Sequence, residues 1–153
     1  MIDLDITELF EEIVKELPEG LEILYPNGKG GTKVMKSPRL NYIFGSSQYI
    51  KDILDEYSKS SAQSERKFPL VALFTPISED RGDADYFSKA KVSLIIACSS
   101  CKEWSNEMRR TTSFKNILRP IYKRLLEVLY EDSRFDCDYD EKVKHSYSEK
   151  IGR

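Results

Sequence analysis

The sequence predicts an α+β fold, a single domain over residues 1–153 in which a mainly antiparallel sheet with a long β-hairpin packs against two to three helices. A chain of 153 residues has the size of one ordinary domain and can bury a sizeable core. Apolar side chains recur at helical spacing near both ends of the chain. The central segments 68–76 and 86–99 are instead rich in β-forming residues, which predicts two paired strands.

The first helix is predicted from one apolar stripe and from signals at both of its ends. Asp5 and Glu8 have the spacing of an N-terminal capping box, and Pro18 with Gly20 marks the end of the helix. The residues that follow, "LEILY", are typical of a strand that ends at a Pro-Asn-Gly turn. The stripe consists of Ile6, Leu9, Phe10, Ile13, Val14 and Leu17.

The segment 28–39 is predicted to be a basic loop, and its start, "GKGGTK", has some features of a phosphate-binding loop. A P-loop requires a second glycine directly before its lysine, a Ser or Thr directly after it, and a helix that begins there. Here Thr32 precedes Lys33, Val34 follows it, and Pro38 interrupts any helix. The pattern therefore disfavours a nucleotide site and leaves a basic surface for a subunit interface or for DNA. Its cations are Lys29, Lys33, Lys36 and Arg39.

The middle of the chain is predicted to hold a short strand, a second helix and the long hairpin. The run "LNYIF" favours a strand, the apolar spacing predicts a helix over 48–59, and 58–67 is a polar loop. The hairpin covers 68–98, and its charged tip has the sequence "ISEDRGDAD". A charged tip that extends beyond the core gains most by lying against another subunit, so we expect an interface there. The expected interface residues are Glu79, Asp80, Arg81, Asp83 and Asp85.

The C-terminal part is predicted to contain a long helix and then a pair of short strands at about 134–147. The apolar stripe of the helix extends from Phe114 to Leu129. Pro120 lies inside this stripe, and a proline removes a backbone donor, so we expect a kink or a restart of the helix there.

Trp104 is the single tryptophan, and it lies close in sequence to Arg109 and Arg110. Tryptophan and arginine are enriched among the residues that dominate binding at interfaces. These three residues are therefore a candidate interface anchor. The alternative is that Trp104 caps the core of its own subunit.

Two motifs resemble chemical sites, but each lacks a required feature. Cys98 and Cys101 have the C-x-x-C spacing of a redox pair or of half a zinc site. The helix expected directly after a redox pair begins well downstream, and only Cys137 and His145 remain as further zinc ligands. "DCDYDE" begins like a calcium loop, but Glu141 occupies the position of the required glycine. We expect no enzymatic activity, no metal and no cofactor; a cysteine- or histidine-dependent enzyme is an alternative.

Charge and composition narrow the classes of partner. The net charge is -2, whereas nucleic-acid binders are more often basic overall. Charge is nevertheless segregated, because 28–39 is basic and 131–141 is acidic, which suits contact with a second copy. A small nucleic-acid-binding adaptor that uses 28–39 is an alternative. The chain has no apolar run near the ~18 residues of a membrane span, and its three cysteines fit a reducing compartment, so we expect a cytoplasmic protein without membrane contact.

The order of these elements, with "FPLVALFTP…YFSKAKVSLIIAC" and "RPIYKRLLEVL", resembles the tail-terminator and tail-completion proteins of tailed phages and the related neck rings. The resemblance covers about residues 6–147 and rests on element order, not on a catalytic motif. It implies a ring of identical subunits, commonly a hexamer, that caps the tail tube and docks to the head connector. It also implies a location in the tail or neck of the virion, after assembly in the host cytoplasm, with DNA passing through the lumen.

Overall fold

The computed structural model describes residues 5–26, 31–57, 59, 67–80, 89–99, 104–132 and 146–149. Its architecture is α+β, as the sequence predicts. The helices are α1 (Ile6–Glu16), α2 (Ser47–Tyr57), α3 (Asn106–Arg109) and α4 (Arg119–Glu131), the last two joined by a π-helical segment (Arg110–Leu118). The strands are β1 (Glu22–Pro26), β2 (Thr32–Lys36), β3 (Asn41–Gly45), β4 (Leu70–Phe74), β5 (Glu79–Asp80), β6 (Lys89–Ala90) and β7 (Leu94–Ala97).

Helix α1 begins at the predicted cap. The Asp5 carboxylate accepts a hydrogen bond from the backbone N–H of Glu8 at 2.9 Å, which satisfies one of the donors left free in the first turn. The apolar stripe of the helix faces the core, where Phe10, Ile13, Val14 and Leu17 are buried. The predicted N-cap and the core-facing stripe are therefore confirmed.

The main sheet has three strands in the order β3-β4-β7. Strand β4 is antiparallel to β7, but it is parallel to β3, so this sheet is mixed and not purely antiparallel. The chain passes from β3 to β4 through α2, because a parallel neighbour can be reached only by a crossover. The predicted helix over 48–59 is this crossover, and it ends at Tyr57. Most of the predicted polar loop 58–67 lies outside the described residues.

Strand β4 lies at the centre of the core and is covered on both faces. Val71 and Leu73 pack in one cluster with residues of α1 and α4. Side chains alternate along a strand, so Leu70 and Ala72 point to the other face, where α2 contacts the sheet and buries Ile50. This double burial explains the continuous apolar run of the strand in the sequence.

The predicted basic loop 28–39 is wrong for its central part, because Thr32–Lys36 form strand β2. This strand pairs with β1 in an antiparallel ribbon, with Ile23 opposite Met35. Met35 and Tyr25 pack against a second cluster, built from Leu21, Ile23, Ile117 and Ile121, and this contact holds the ribbon on the π-helical segment. The lysines on both sides of Val34 and Met35 hid the strand pattern in the sequence.

The predicted hairpin 68–98 is present in its described parts. The pairing of β4 with β7 continues as a second antiparallel pair, β5 with β6. Ile77 and Val92 still pack against the core, whereas Glu79 and Ala90 are exposed. The hairpin therefore leaves the core beyond Ile77 and returns to it at Val92. Residues 81–88, which form its tip, lie outside the described residues.

The long C-terminal helix changes its hydrogen bonding at the predicted proline. The π-helical segment ends at Leu118, and Pro120 lies in the first turn of α4. The backbone of Leu118 and Arg119 remains helical, and Arg119 N–H donates to Phe114 O, five residues earlier. The expected kink or restart is therefore seen only as a change from π-helical to α-helical hydrogen bonding, within a continuous helix.

The predicted C-terminal strand pair at about 134–147 lies outside the described residues except at its end. Ser146 and Tyr147 are described, and they form no strand. The segment 146–149 instead lies against α4, where ion-pair and ring contacts hold it.

Candidate subunit interface

The hairpin tip is described only at its base. Glu79 pairs in register with Ala90, and Asp80 with Lys89. The side chain of Glu79 is exposed, as an interface residue of an isolated subunit should be. The other predicted tip residues, Arg81, Asp83 and Asp85, lie outside the described residues.

The predicted basic residues do not form a single stripe. Lys33 lies opposite Tyr25 and Lys36 opposite Glu22, so the two lysines project from different faces of the ribbon. Both lysines are exposed, as is Arg39 after the strand, whereas Lys29 lies outside the described residues. The phosphates of a nucleic acid could therefore reach Lys33 and Lys36 only from two different sides of the ribbon.

The predicted anchor is only partly available to a partner. Trp104 is half-buried beside Ser105, whose hydroxyl caps α3 by accepting from Met108 N–H at 3.1 Å. Arg110 is exposed, but it donates to the Glu107 carboxylate at 2.7 Å, one turn earlier on the same helix. Arg109 is half-buried. Sequence reasoning missed the exposed Met108, which directly precedes the two arginines.

The thiol of Cys98 is held in its protonated form. Burial raises the pKa of Cys98 to about 11, and the hydroxyl of the nearby Ser113 offsets only part of this effect. Because the thiolate is the reactive species, this environment disfavours Cys98 as a nucleophile at neutral pH. Cys101, Cys137 and His145 lie outside the described residues, and no group of three metal-ligating side chains occurs among those that are described.

Strand β3 presents an aromatic edge that sequence reasoning did not select. It is an edge of the three-stranded sheet, and the side chain of Phe44 is 48% exposed there. The neighbouring Tyr42 has its ring centroid 6.2 Å from that of Phe44, and its hydroxyl donates to the backbone carbonyl of Thr7 at 2.9 Å. The signal in the sequence was the uncharged run "NYIFG", which contains none of the residues that usually protect an edge strand.

Opposite charges lie on different parts of the subunit. Helix α1 packs on α4 and the main sheet, and its outer side is acidic. The ribbon packs on the π-helical segment, and exposed cations lie on both faces of the ribbon and on that segment, with the exposed Glu22 opposite Lys36. The acidic face comprises Asp5, Glu8, Glu11, Glu12 and Glu16, with Lys15 paired to Glu11 among them, and the name basic face denotes the set of exposed cations Lys33, Lys36, Arg39 and Lys115.

No family model, curated protein or solved structure matches this chain. Within the described part of the chain, none of the helices combines the length and the apolar character needed to cross a bilayer. The assignment of a function therefore rests on the surfaces described above and on the resemblance in element order.

Proposed function

We propose that this protein is a non-enzymatic, ring-forming structural subunit of a tailed phage, which caps the tail tube or joins the tail to the head connector. The observation that carries the proposal is the hairpin between β4 and β7. It leaves the core beyond Ile77 and returns at Val92, and the segment between them includes the sequence "EDRGDAD". The order of helix, strands and hairpin is also the basis of the resemblance to tail-terminator proteins.

A ring of identical subunits needs two different surfaces that are complementary to each other. The acidic face on α1 and the basic face on the ribbon and π-helical segment meet this requirement, because they lie on different elements. Such charge complementarity orients subunits during association and disfavours contacts between like faces. The segregated charge therefore supports a head-to-tail ring over a two-fold dimer.

The proposal places the protein in the virion, at the tail or neck. Its partners would be further copies of itself, as a hexamer, together with tail-tube and head-connector proteins. Any cations of the basic face that the neighbouring subunit leaves uncovered would line the lumen, where DNA passes without sequence readout, because contacts to phosphate carry no base information. Lys33 and Lys36, on opposite faces of the ribbon, suit contact with a passing backbone better than a fixed sequence-reading site.

The charge reversal Arg81→Glu tests whether the hairpin tip is part of the interface. In the isolated subunit the tip is expected to be solvated, so the free energy of unfolding should change by no more than about 0.5 kcal/mol. In the assembly, Arg81 is expected to pair with acids of the next subunit, and its reversal should prevent ring formation. Light scattering measures assembly, and a thermal melt measures stability.

The matched control is Lys51→Glu, which makes the same charge change on the exposed side of α2. This control should assemble like the wild-type protein. If folded Arg81→Glu protein also assembles normally, the tip is not in the interface and the proposal loses its main support.

A further inference from the structure

Strand β3 offers one unpaired edge to a partner. Its ladder with β4 includes the bonds from Asn41 N–H to Pro69 O at 3.0 Å and from Thr75 N–H to Gly45 O at 2.8 Å. The backbone groups of alternate residues point to opposite sides of a strand, so the N–H and C=O of Tyr42 and Phe44 point away from β4. No strand in the described part of the chain pairs with that side.

The same edge lacks the features that prevent strand addition. Natural edge strands are usually protected by charged residues, prolines or bulges, and "NYIFG" contains no charge and no proline. Phe44 is 48% exposed at this edge, and its ring adds apolar surface that a paired strand would cover. Tyr42 is held in place by its hydrogen bond to Thr7, so the strand is already ordered for pairing.

Strand β2 offers a second unpaired edge. Ser37 N–H donates to Leu21 O at 2.9 Å. Because antiparallel strands exchange backbone hydrogen bonds at every second residue, Met35 and Lys33 are the residues of β2 whose backbone groups point toward β1. The backbone groups of Val34 and Lys36 therefore point away from β1, toward a side that has no partner strand within the described residues. The Val34 side chain is 58% exposed.

The two edges belong to different strands of different sheets. The ribbon packs through Tyr25 and Met35 on a cluster that also receives Ile96 of β7 and Leu40, the residue before β3. Contacts between two different edges are head-to-tail, which is the arrangement that closes into a ring.

We infer that β2 of one copy pairs with β3 of the next, so that the ribbon and the main sheet join into one sheet across each subunit boundary. This inference rests on the proposed ring and names its contact. Both strands have five residues, so their lengths match. The charges near the two strands are also complementary. Lys33 and Lys36 lie on either side of Val34 and Met35 in β2. Near β3, the pKa of Tyr42 is raised chiefly by burial and also by the negative charges of Glu11 and Asp5, which therefore lie close to its hydroxyl.

Two substitutions remove one edge each. Val34→Pro removes the outward N–H of β2 and leaves the ladder to β1 intact, because Val34 makes no ladder bond there. Phe44→Lys places a charge on the edge of β3, as natural edge strands do. The matched controls, Val34→Thr and Phe44→Leu, retain the N–H and the size class of the side chain.

Light scattering on the folded variants, each checked by a thermal melt, decides the inference. Each blocking variant alone should stay at the mass of one subunit, 17.8 kDa, while both controls assemble like the wild-type protein. An equimolar mixture of Val34→Pro and Phe44→Lys should stop at a heterodimer, because only one productive pair of edges remains. If Val34→Pro fails to fold, Val34→Lys takes its place in every arm.

Other results overturn the inference in distinguishable ways. Blocking variants that assemble like the wild-type protein would remove both edges from the contact and leave the proposed ring standing. A two-fold dimer of Val34→Pro that Phe44→Lys does not form would show that β3 pairs with β3 instead. A wild-type protein that stays monomeric at its highest soluble concentration would contradict the proposed ring itself.

Discussion

At the scale of single residues, Gly45 controls the connection between β3 and α2. Its φ of +156° lies in a region that residues with a Cβ rarely adopt. A Cβ at this position would also lie 2.5 Å from Cδ1 of Tyr49, whose ring packs over the glycine. The chain enters α2 directly afterwards, with the Ser46 hydroxyl accepting from Tyr49 N–H at 3.2 Å.

The substitution Gly45→Ala should therefore lower the free energy of unfolding by about 1–3 kcal/mol, the usual cost of a strained backbone position. Chemical denaturation of the single variant, of Tyr49→Ala and of the double variant separates the two causes. The double variant should recover the part due to the ring contact and retain the part due to φ. A single variant as stable as the wild-type protein would contradict the strained connection.

Tyr25 and Cys98 predict how stability changes at alkaline pH. Burial, with a smaller effect of the Cys98 charge, raises the pKa of Tyr25 to about 12 from its ordinary 10.0, and burial raises that of Cys98 to about 11 from 9.0. Both groups hold their protons more tightly in the folded chain. As pH rises the unfolded chain loses these protons first, so the free energy of unfolding should fall.

The fall should begin above about pH 9 with Cys98 and continue to about pH 12 with Tyr25. Urea unfolding at a series of pH values measures it. Cys98→Ala should flatten the first part of the profile, whereas Tyr25→Phe should flatten its later part. An identical slope in wild type and Cys98→Ala would show that this thiol does not contribute.

At the scale of elements, the tail segment 146–149 is attached to the beginning of α4. Nε and Nη2 of Arg119 donate to the two carboxylate oxygens of Glu149, each at 2.8 Å. The rings of Tyr122 and Tyr147 lie beside them, with centroids 5.2 Å apart. Two contacts between residues so far apart in sequence hold the tail on this helix.

The variant Glu149→Gln should release the tail, because it removes the charge that pairs with Arg119. Hydrogen bonding to Arg119 lowers the pKa of Glu149 below its ordinary 4.5, so the contact is present above that pH and is lost as pH falls below it. The protection of the amides in 146–149, which is the intrinsic exchange rate divided by the observed rate at the same pH, should fall in the variant and in acid. Glu127→Gln, which affects the pair between Glu127 and Arg124 on one helix, is the control; equal exchange in both would contradict the attachment.

The sequence predicted those elements whose signal is local and missed those whose form depends on a distant partner. Helix α1 carries its own cap at Asp5 and its own apolar stripe, so its cap and its buried face followed from the sequence alone. Strand β2 did not, because its two central apolar residues are flanked by lysines and become a strand only opposite β1. The parallel pairing of β3 with β4 depends on a crossover, which short apolar runs do not indicate.

The residues of the candidate interface show the same difference between features that are visible in the sequence and features that depend on the fold. Charge is visible in the sequence, so the exposed Lys33, Lys36 and Glu79 were selected correctly as surface residues. Phe44 was missed, because an apolar residue in a strand is expected to be buried, and only the position of β3 at a sheet edge exposes it. The engagement of Arg110 with Glu107 on its own helix was also not considered.

At the scale of the whole molecule, the acidic face and the basic face should make assembly dependent on salt. Exposed charges more than about 10 Å apart are largely screened at an ionic strength of 0.1 M. Association that uses these faces should therefore weaken as salt rises, whereas apolar contacts in the proposed pairing of β2 with β3 would be much less affected. Light scattering across a salt series measures this change, and assembly that is indifferent to salt would remove both faces from the contact.

The proposed function depends on copies of this chain forming a closed ring. Negative-stain electron microscopy of the concentrated wild-type protein at low salt, with its mass taken from light scattering, tests it most directly. We expect rings of several subunits around a central opening, with a mass that is a fixed multiple of the subunit mass. Particles of one subunit at every concentration, or a two-fold dimer that does not grow further, would contradict it.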